Sequence, residues 1–369
     1  MTGRSRLPRS AALLAAVGIA AGVAALPSRA EAVYIRDDVP VALYNALAEQ
    51  SQYAAAGYFG IAGTGDRCSG VLVAPDAFLT AAHCTTDAPP SGFTVGFGLD
   101  LPATFGPSNV ASILVNPAWV PASEDKPLSG KDQLANQLYD IALVKLAAPV
   151  AGIAPAQIWL GDPAGLVGTL TGYGYQDTGL NTGADAHGGE PGYYLGGAHS
   201  RLAAQNVIDT AGPDTPITAV FDSPHAGPGG DRGAPLPLEG SGCTGDSGSP
   251  LYVAIGGQNL IVGTVHGPPP GPGGGPPAVA GCGYGVVEAW APLADPVNVA
   301  FLAGADSAIA FVAPEPVPEP ASASVLGAAL LGLVATAVLW RRRGRDARPT
   351  RSTAAGGSAR GRAGRDLVR

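Results

Sequence analysis

Residues 242–250 read Gly242-Cys243-Thr244-Gly245-Asp246-Ser247-Gly248-Ser249-Pro250 and lead directly into an apolar run at 251–255. Gly245 lets the chain turn tightly, so that the amides of Gly245 and Ser247 can point at one oxygen. Two further segments place reactive residues at the edge of apolar runs. One is Leu79-Thr80-Ala81-Ala82-His83-Cys84, which follows an apolar stretch at 70–73; the other is Asp140-Ile141-Ala142-Leu143-Val144-Lys145-Leu146. Singly, each has an ordinary structural explanation: a His beside a cystine, an Asp capping a strand, a Gly-rich turn. Jointly they hold a nucleophile, a general base and a carboxylate, the set that hydroxyl-based acyl transfer needs.

A serine hydroxyl attacks poorly at neutral pH unless a base removes its proton. His83 suits that task, because an unperturbed imidazole titrates near pH ~6.5. A buried Asp140 would fix the imidazole tautomer and stabilise the imidazolium that forms. Amides of Gly245 and Ser247 aimed at a developing oxyanion would supply about 2.7–4 kcal/mol per donor.

The chain has four cysteines, Cys68, Cys84, Cys243 and Cys282. In an exported chain an even count reads as disulfides, with three possible connectivities. Sequence proximity favours Cys68–Cys84 and Cys243–Cys282, each constraining the unfolded chain by about 3–4 kcal/mol. Zinc is the competing use of four Cys, but no C-x2-C pair exists, so metal binding is not expected; no cofactor is expected either.

Thr80-Ala81-Ala82-His83-Cys84, Asp140-Ile141-Ala142-Leu143 and Gly245-Asp246-Ser247-Gly248-Ser249-Pro250, in the order His, Asp, Ser, resemble the trypsin/chymotrypsin-like serine endopeptidases. The resemblance runs over about residues 53–303, and both cysteine pairs sit where that family places two of its bridges. It implies an all-β fold of two six-stranded antiparallel barrels with a short C-terminal helix and the site in the cleft between them. It implies His83 as general base, Asp140 as orienting acid, Ser247 as nucleophile, and Gly245 and Ser247 as oxyanion donors, acting on protein or peptide substrates. Asp246 is similar to the carboxylate that pairs with the α-amino group released on activation. The family's usual Ile-Val-Gly-Gly start is absent; Val33 is an apolar terminus that signal peptidase would create directly, so no separate zymogen cleavage is expected. The rival reading is a catalytically inactive surface or matrix adhesion protein on the same fold.

Departures from the family cluster around the specificity pocket. Ser241 stands where trypsin-like members carry an Asp, which removes the obvious partner for a Lys or Arg substrate. Gly267 and Gly285 would leave the walls open for an apolar or aromatic side chain. The loop 267–282 is Pro- and Gly-rich and unusually long for the family. His266 falls near a position where the family has a Ser that supports the catalytic Asp, but a one-residue shift would put Val265 there, and His266 is given no catalytic role. His187, His199 and His225 read as surface histidines, and Asp209, Asp214, Asp222 and Asp231 as a solvated acidic loop.

Outward from this core, short β-rich runs separated by Gly and Pro turns recur. They lie at 55–62, 70–73, 94–97, 110–115 and 141–146 in a first half (53–150), and at 169–173, 203–208, 220–222, 251–255, 260–265 and 285–289 in a second (151–312). Asp295-Pro296 opens a short helix, with Asp as N-cap and Pro in the first helical position. Residues 33–52 read as an added N-terminal segment, helical around 42–48.

Composition agrees with a globular domain: 46% of residues are hydrophobic and only 14% charged, which excludes a long helical array. Residues 33–316 hold seven Lys and Arg against 25 Asp and Glu, a balance of −18 that excludes nucleic-acid binding. The ends read as addresses. Residues 1–32 have Arg4, Arg6 and Arg9, an apolar core and an Ala30-Glu31-Ala32 stop, as in a secretory signal peptide. Residues 321–340 are 20 uncharged positions followed by Arg341, Arg342 and Arg343, a transmembrane helix with the large domain outside. With Pro318-Glu319-Pro320 just before it, the segment 313–343 resembles the PEP-CTERM sorting signal of Gram-negative bacteria. That resemblance implies an exosortase-type protease as partner and delivery to the periplasm, outer surface or extracellular matrix, after transient anchoring in the inner membrane. A plain single-span anchor that is never processed is the alternative. Residues 344–369 read as a disordered Arg-rich tail.

Overall fold

The computed structural model describes residues 33–122, 128, 130–180, 200–212, 214–225, 234–269 and 282–314. The expected signal peptide, transmembrane helix, sorting motif Pro318-Glu319-Pro320 and Arg-rich tail lie outside them. Among the described residues no helix is long and apolar enough to cross a membrane.

Two large sheets dominate the described residues, with a small three-stranded sheet around the N-terminal strand. The first has six strands in the order Phe93–Phe97, Ala56–Ile61, Arg67–Ala74, Ala77–Thr80, Ala142–Leu146, Val110–Val115, with every neighbouring pair antiparallel. Its interior is aromatic: Phe59 stacks on Phe93 with ring centroids 4.5 Å apart, and Phe78 packs beside them. Leu72, Val144 and Leu79 are fully buried around these rings. The second sheet follows the path Leu202–Val207, Val167–Gly172, Pro250–Ile255, Gln258–Val265, Val287–Pro292, Thr215–Val220, Thr210–Gly212. Ile158–Trp159 and Phe311–Val312 join it in parallel pairing, so this half has nine strands where six were expected.

Most expected strands appear within two residues of their sequence limits, and that at Val110–Val115 coincides. Several elements were not expected, and two of them show why. Ala77–Thr80 is a four-residue strand, too short for alternation to show, that forms because a Pro75-Asp76 turn folds it back on Arg67–Ala74. Gly130–Leu138 is a polar helix with few apolar residues to mark its period. Of the run expected at 220–222, only Val220 lies in a strand, as the last residue of Thr215–Val220.

The N-terminal segment is integral to the second half. Tyr34–Ile35 forms a strand between Asp177–Thr178 and Gly240–Ser241, with Tyr34 opposite Ser241. The helix Val41–Ala48 follows, and Val33, Ile35 and Tyr44 pack into the same apolar cluster as Tyr173, Leu202 and Trp290.

Three buried polar groups tie the halves together. Ser69 donates its amide to the Ser247 carbonyl (2.8 Å) and its hydroxyl to the Gly245 carbonyl (2.9 Å), while its Oγ accepts the Tyr173 amide (3.0 Å). Arg201 donates to the carbonyls of Ala48, Tyr53 and Ala56. The helix Pro296–Ala305 is capped as expected, Asp295 accepting the Val297 amide at 2.8 Å. Its Asn298 donates to the carbonyls of Leu138 (2.8 Å) and Pro292 (2.7 Å) and accepts from Asn116 (2.7 Å).

Replacing Asn298 by Ala leaves those buried groups unpaired, and each orphaned partner costs about 1–3 kcal/mol. Chemical denaturation of N298A at pH 7 is therefore expected to give a loss of about 2–4 kcal/mol. A loss below about 0.5 kcal/mol, the range of a neutral surface change, would contradict this role.

Candidate active site

The pairing of Ala77–Thr80 with Ala142–Leu146 places the first two residues of interest. Thr80 lies opposite Ala142. Carried on by two residues, that register brings Ala82 level with Asp140, and the single turn Ala82–Thr85 then presents His83 to the carboxylate. Asp140 Oδ1 accepts the His83 amide at 2.9 Å, and Oδ2 lies 2.6 Å from His83 Nδ1. The Cys68–Cys84 disulfide fastens this turn to the neighbouring strand.

Asp140 is completely buried. Burial by itself would raise its pKa, but the charges and hydrogen bonds of His83 and His266 outweigh it and hold the carboxyl well below the usual carboxylate range. For His83, burial pulls the pKa down, and the Asp140 charge and hydrogen bond, with a smaller contribution from Asp87, more than compensate, leaving it raised. With Nδ1 committed to Asp140, Nε2 is the nitrogen left for exchange with a substrate or nucleophile.

Ser247 comes from the second half. Its carbonyl accepts the Ser69 amide and lies 3.8 Å from Cys84 Sγ, which sets the serine beside the His83 turn. Close approach explains the following glycine: a Cβ at Gly248 would collide with the Ser69 carbonyl, Thr80 Oγ1 and the Ala81 amide, and its φ is +82°. Gly245, at φ +90°, makes the turn before the serine. The loop is pinned by Asp246 N to Cys243 O (2.8 Å), Ser249 N to Asp246 O (2.7 Å) and Gly248 N to Val265 O (2.8 Å). The Gly245 and Ser247 amides have no acceptor among the described residues.

Asp246 points away from the serine into the second half. Its carboxylate accepts the amides of Cys243 (2.9 Å), Gly174 (2.9 Å) and Val33 (3.2 Å). Burial pushes its pKa up to about 6, against the pull of those amides. Val33 itself is buried with φ +72°, strained for a β-branched residue. The structure thus brings Val33 to Asp246. The second disulfide, Cys243–Cys282, closes beside it.

Two residues at the site were not assigned from sequence. His266 follows directly on the strand Gln258–Val265, and its Nδ1 lies 2.6 Å from Asp140 Oδ2, on the same oxygen as His83. A one-residue ambiguity in a Gly/Pro-rich neighbourhood hid it; the signal was its position just after a buried strand that pairs with the segment following Ser247. The other is Glu288. Ser241, buried in its short strand, donates its hydroxyl to Glu288 Oε2 at 3.2 Å. Gly267 and Gly285 flank the strand that carries this acid, the Gly267 amide reaching the Ala289 carbonyl. A buried carboxylate therefore lies beside Ser241, where the sequence reading expected none. Burial foremost, and then the negative charge of Asp246, push Glu288 up to about 8.

His83, Asp140 and His266 offer three ligand-type atoms within 4.8 Å of one another. Both ring nitrogens sit at direct hydrogen-bond distance from Oδ2, and an ion that needs about 2.0–2.2 Å to each donor has no place between them. Cys68 and Cys84 are consumed by their disulfide. His225 lies at the surface, 2.9 Å from Asp37; His187 and His199 lie outside the described residues.

Residues 44–187 match the trypsin family model, a span that includes His83 and Asp140 and stops short of Ser247. Among solved structures, the chain is similar to an inactivated protease paralogue of the scabies mite, at 18% identity over 69% of this chain and 95% of that one, with a TM-score of 0.40. It is also similar to a Glu endopeptidase solved in complex with MPD, at 18% identity over 76% of this chain and 100% of that one, again with a TM-score of 0.40. No curated protein sequence matches it.

Because Glu288 holds its proton to about pH 8 in the folded chain while an unfolded Glu loses it near 4.5, folding stability falls as pH rises through that window. Asp246 adds a loss of the same sign only up to about pH 6. Between pH 6 and 8, the Glu288→Gln protein should therefore lose less stability than the unaltered chain, by up to about 1.4 kcal/mol per pH unit. Denaturant titrations at several pH values check this; parallel curves for the two proteins would contradict it.

Proposed function

We propose that the chain is a trypsin-like serine endopeptidase in which Ser247 is the nucleophile, His83 the general base and Asp140 the orienting acid. The observation that carries this reading is the grip of one buried carboxylate on both the amide and Nδ1 of His83, beside a serine turn docked on Ser69. Ser247 Oγ attacks a peptide carbonyl carbon as His83 Nε2 takes its proton. The oxyanion is met by the Gly245 and Ser247 amides, which have no other acceptor among the described residues. Collapse expels the amine, which receives the proton from His83, and leaves an ester on Ser247. Water, deprotonated by the same imidazole, attacks that ester and frees the product acid and the serine.

Activation follows from Val33. Cleavage after Ala32 would turn its amide into an ammonium at the existing 3.2 Å from Asp246 and would abolish the strained φ, a dihedral that needs the preceding residue. The buried Asp246 would gain a full counter-charge, and the loop from Cys243 to Ser247 would be held from below. Two disulfides support an exported protein. The signal-like residues 1–32 and the sorting-like segment 313–343 support delivery to the envelope of a Gram-negative bacterium, with signal peptidase and an exosortase-type protease as processing partners.

On an unfolded protein substrate, Ser247→Ala is expected to lower kcat by about 10^4-fold or more. Equal turnover by both proteins would contradict the assignment. A chain that begins at Val33 should exceed one that retains Ala32 by about 10²-fold in kcat, the scale of an oxyanion donor. Equal activity of these two would remove the proposed role of Val33.

A further inference from the structure

Asp140 Oδ2 is shared. His83 Nδ1 and His266 Nδ1 both approach it to 2.6 Å, with their ring planes at 89° and centroids 6.0 Å apart. A carboxylate acting on a single imidazole would lend it the whole of its charge. Here a second N–H donor stabilises the same anion, so less of that charge is left to hold a proton on His83.

His266 also has a mechanical place in the site. Its amide is held by the Ala289 carbonyl at 2.9 Å. The preceding residue, Val265, is hydrogen-bonded on both sides to the nucleophile segment, accepting from Gly248 (2.8 Å) and donating to the Ser249 carbonyl (2.9 Å). His83 and Asp140 come from the first sheet, and Ser247 and His266 from the second. The His266–Asp140 hydrogen bond therefore joins the segment bearing the serine to the pair bearing the base.

We propose that His266 is a positioning residue that sets the basicity of His83 by sharing Asp140, and that holds the Ser247 segment in register with the His83–Asp140 pair. The proposal rests on the serine endopeptidase reading above. It acts through Asp140 and touches no substrate. The charged groups felt by His83 are Asp140 and Asp87, with the His266 ring alongside; removal of His266 therefore changes one identifiable influence. Without that donor, the Asp140 charge falls on His83 alone, and the His83 pKa moves up. The direction is the same whether His266 acts as a neutral donor or as a cation.

The test reads His83 by NMR titration in the full chain carrying Ser247→Ala, so that it does not depend on turnover. In a further His266→Ala change, the His83 midpoint is expected to rise by about 0.5–1 pH unit. In His266→Asn, whose amide N–H replaces the lost donor, it should stay within about 0.2 unit of the parent. In chains that keep Ser247, His266→Ala should lower kcat about tenfold, with KM changed less than about twofold and the acid limb displaced upward. His266→Asn should restore most of that loss. An unmoved His83 midpoint in folded His266→Ala, or the same displacement in His266→Asn, would overturn the proposal. If His266→Ala does not fold, the parent protein still decides: two low-field imidazole N–H resonances, both lost in Asp140→Asn, are expected, and a single one would overturn it. Absence of peptide hydrolysis by the unmodified chain would contradict the proposed function instead, while the titration continues to decide the role of His266.

Discussion

A carboxylate removed from water destabilises a fold by several kcal/mol unless donors replace its solvent shell. Asp140 is such a group, and its three donors come from two chain segments 183 residues apart, at His83 and His266. The anion is tolerable only when the His83 turn, the start of Ala142–Leu146 and the end of Gln258–Val265 are all in place. This one requirement aligns the two sheets at the point where Ser247 emerges. The Cys68–Cys84 disulfide and the hydrogen bonds of Ser69 act on the same small region, so covalent, polar and ionic constraints converge there.

Burial has the opposite outcome at the second acidic cluster. Asp246 is met by backbone amides and Glu288 mainly by one hydroxyl, and both carboxyls are displaced upward instead of downward. The contrast is one of donors: two imidazoles and an amide outweigh burial at Asp140, whereas the amides on Asp246 and the hydroxyl on Glu288 do not. An ammonium at Val33 is the kind of partner that cluster lacks. The N-terminal strand Tyr34–Ile35, threaded between Asp177–Thr178 and Gly240–Ser241, is what carries Val33 to that cluster.

Much of this was legible in the sequence, for physical reasons that can be named. Runs such as that at Val110–Val115 alternate or stay apolar between strong turn residues, and Asp295-Pro296 is a cap because both residues favour the same helix start. Both disulfides join the cysteine pairs nearest in sequence. His83, Asp140 and Ser247 were singled out through the motifs that carry them, and the structure brings His83 Nδ1 to 2.6 Å from Asp140. What escaped depends on tertiary contact. Tyr34–Ile35 is two residues long and becomes a strand only through its neighbours. Ala77–Thr80 is too short to show a period. Glu288 reads as one acid in a β-run, and only the fold reveals that it faces Ser241. His266 required knowledge of which residue follows the strand that flanks the serine loop, a matter of register that a Gly- and Pro-rich neighbourhood conceals.

The central claim is that the fold activates one particular serine. Treating the folded, disulfide-bonded protein that begins at Val33 with a fluorophosphonate and locating the adduct by peptide mass spectrometry tests it most directly. The account predicts a single adduct on Ser247 that disappears when His83 is replaced by Ala. No adduct, or one that survives the loss of His83, would contradict it.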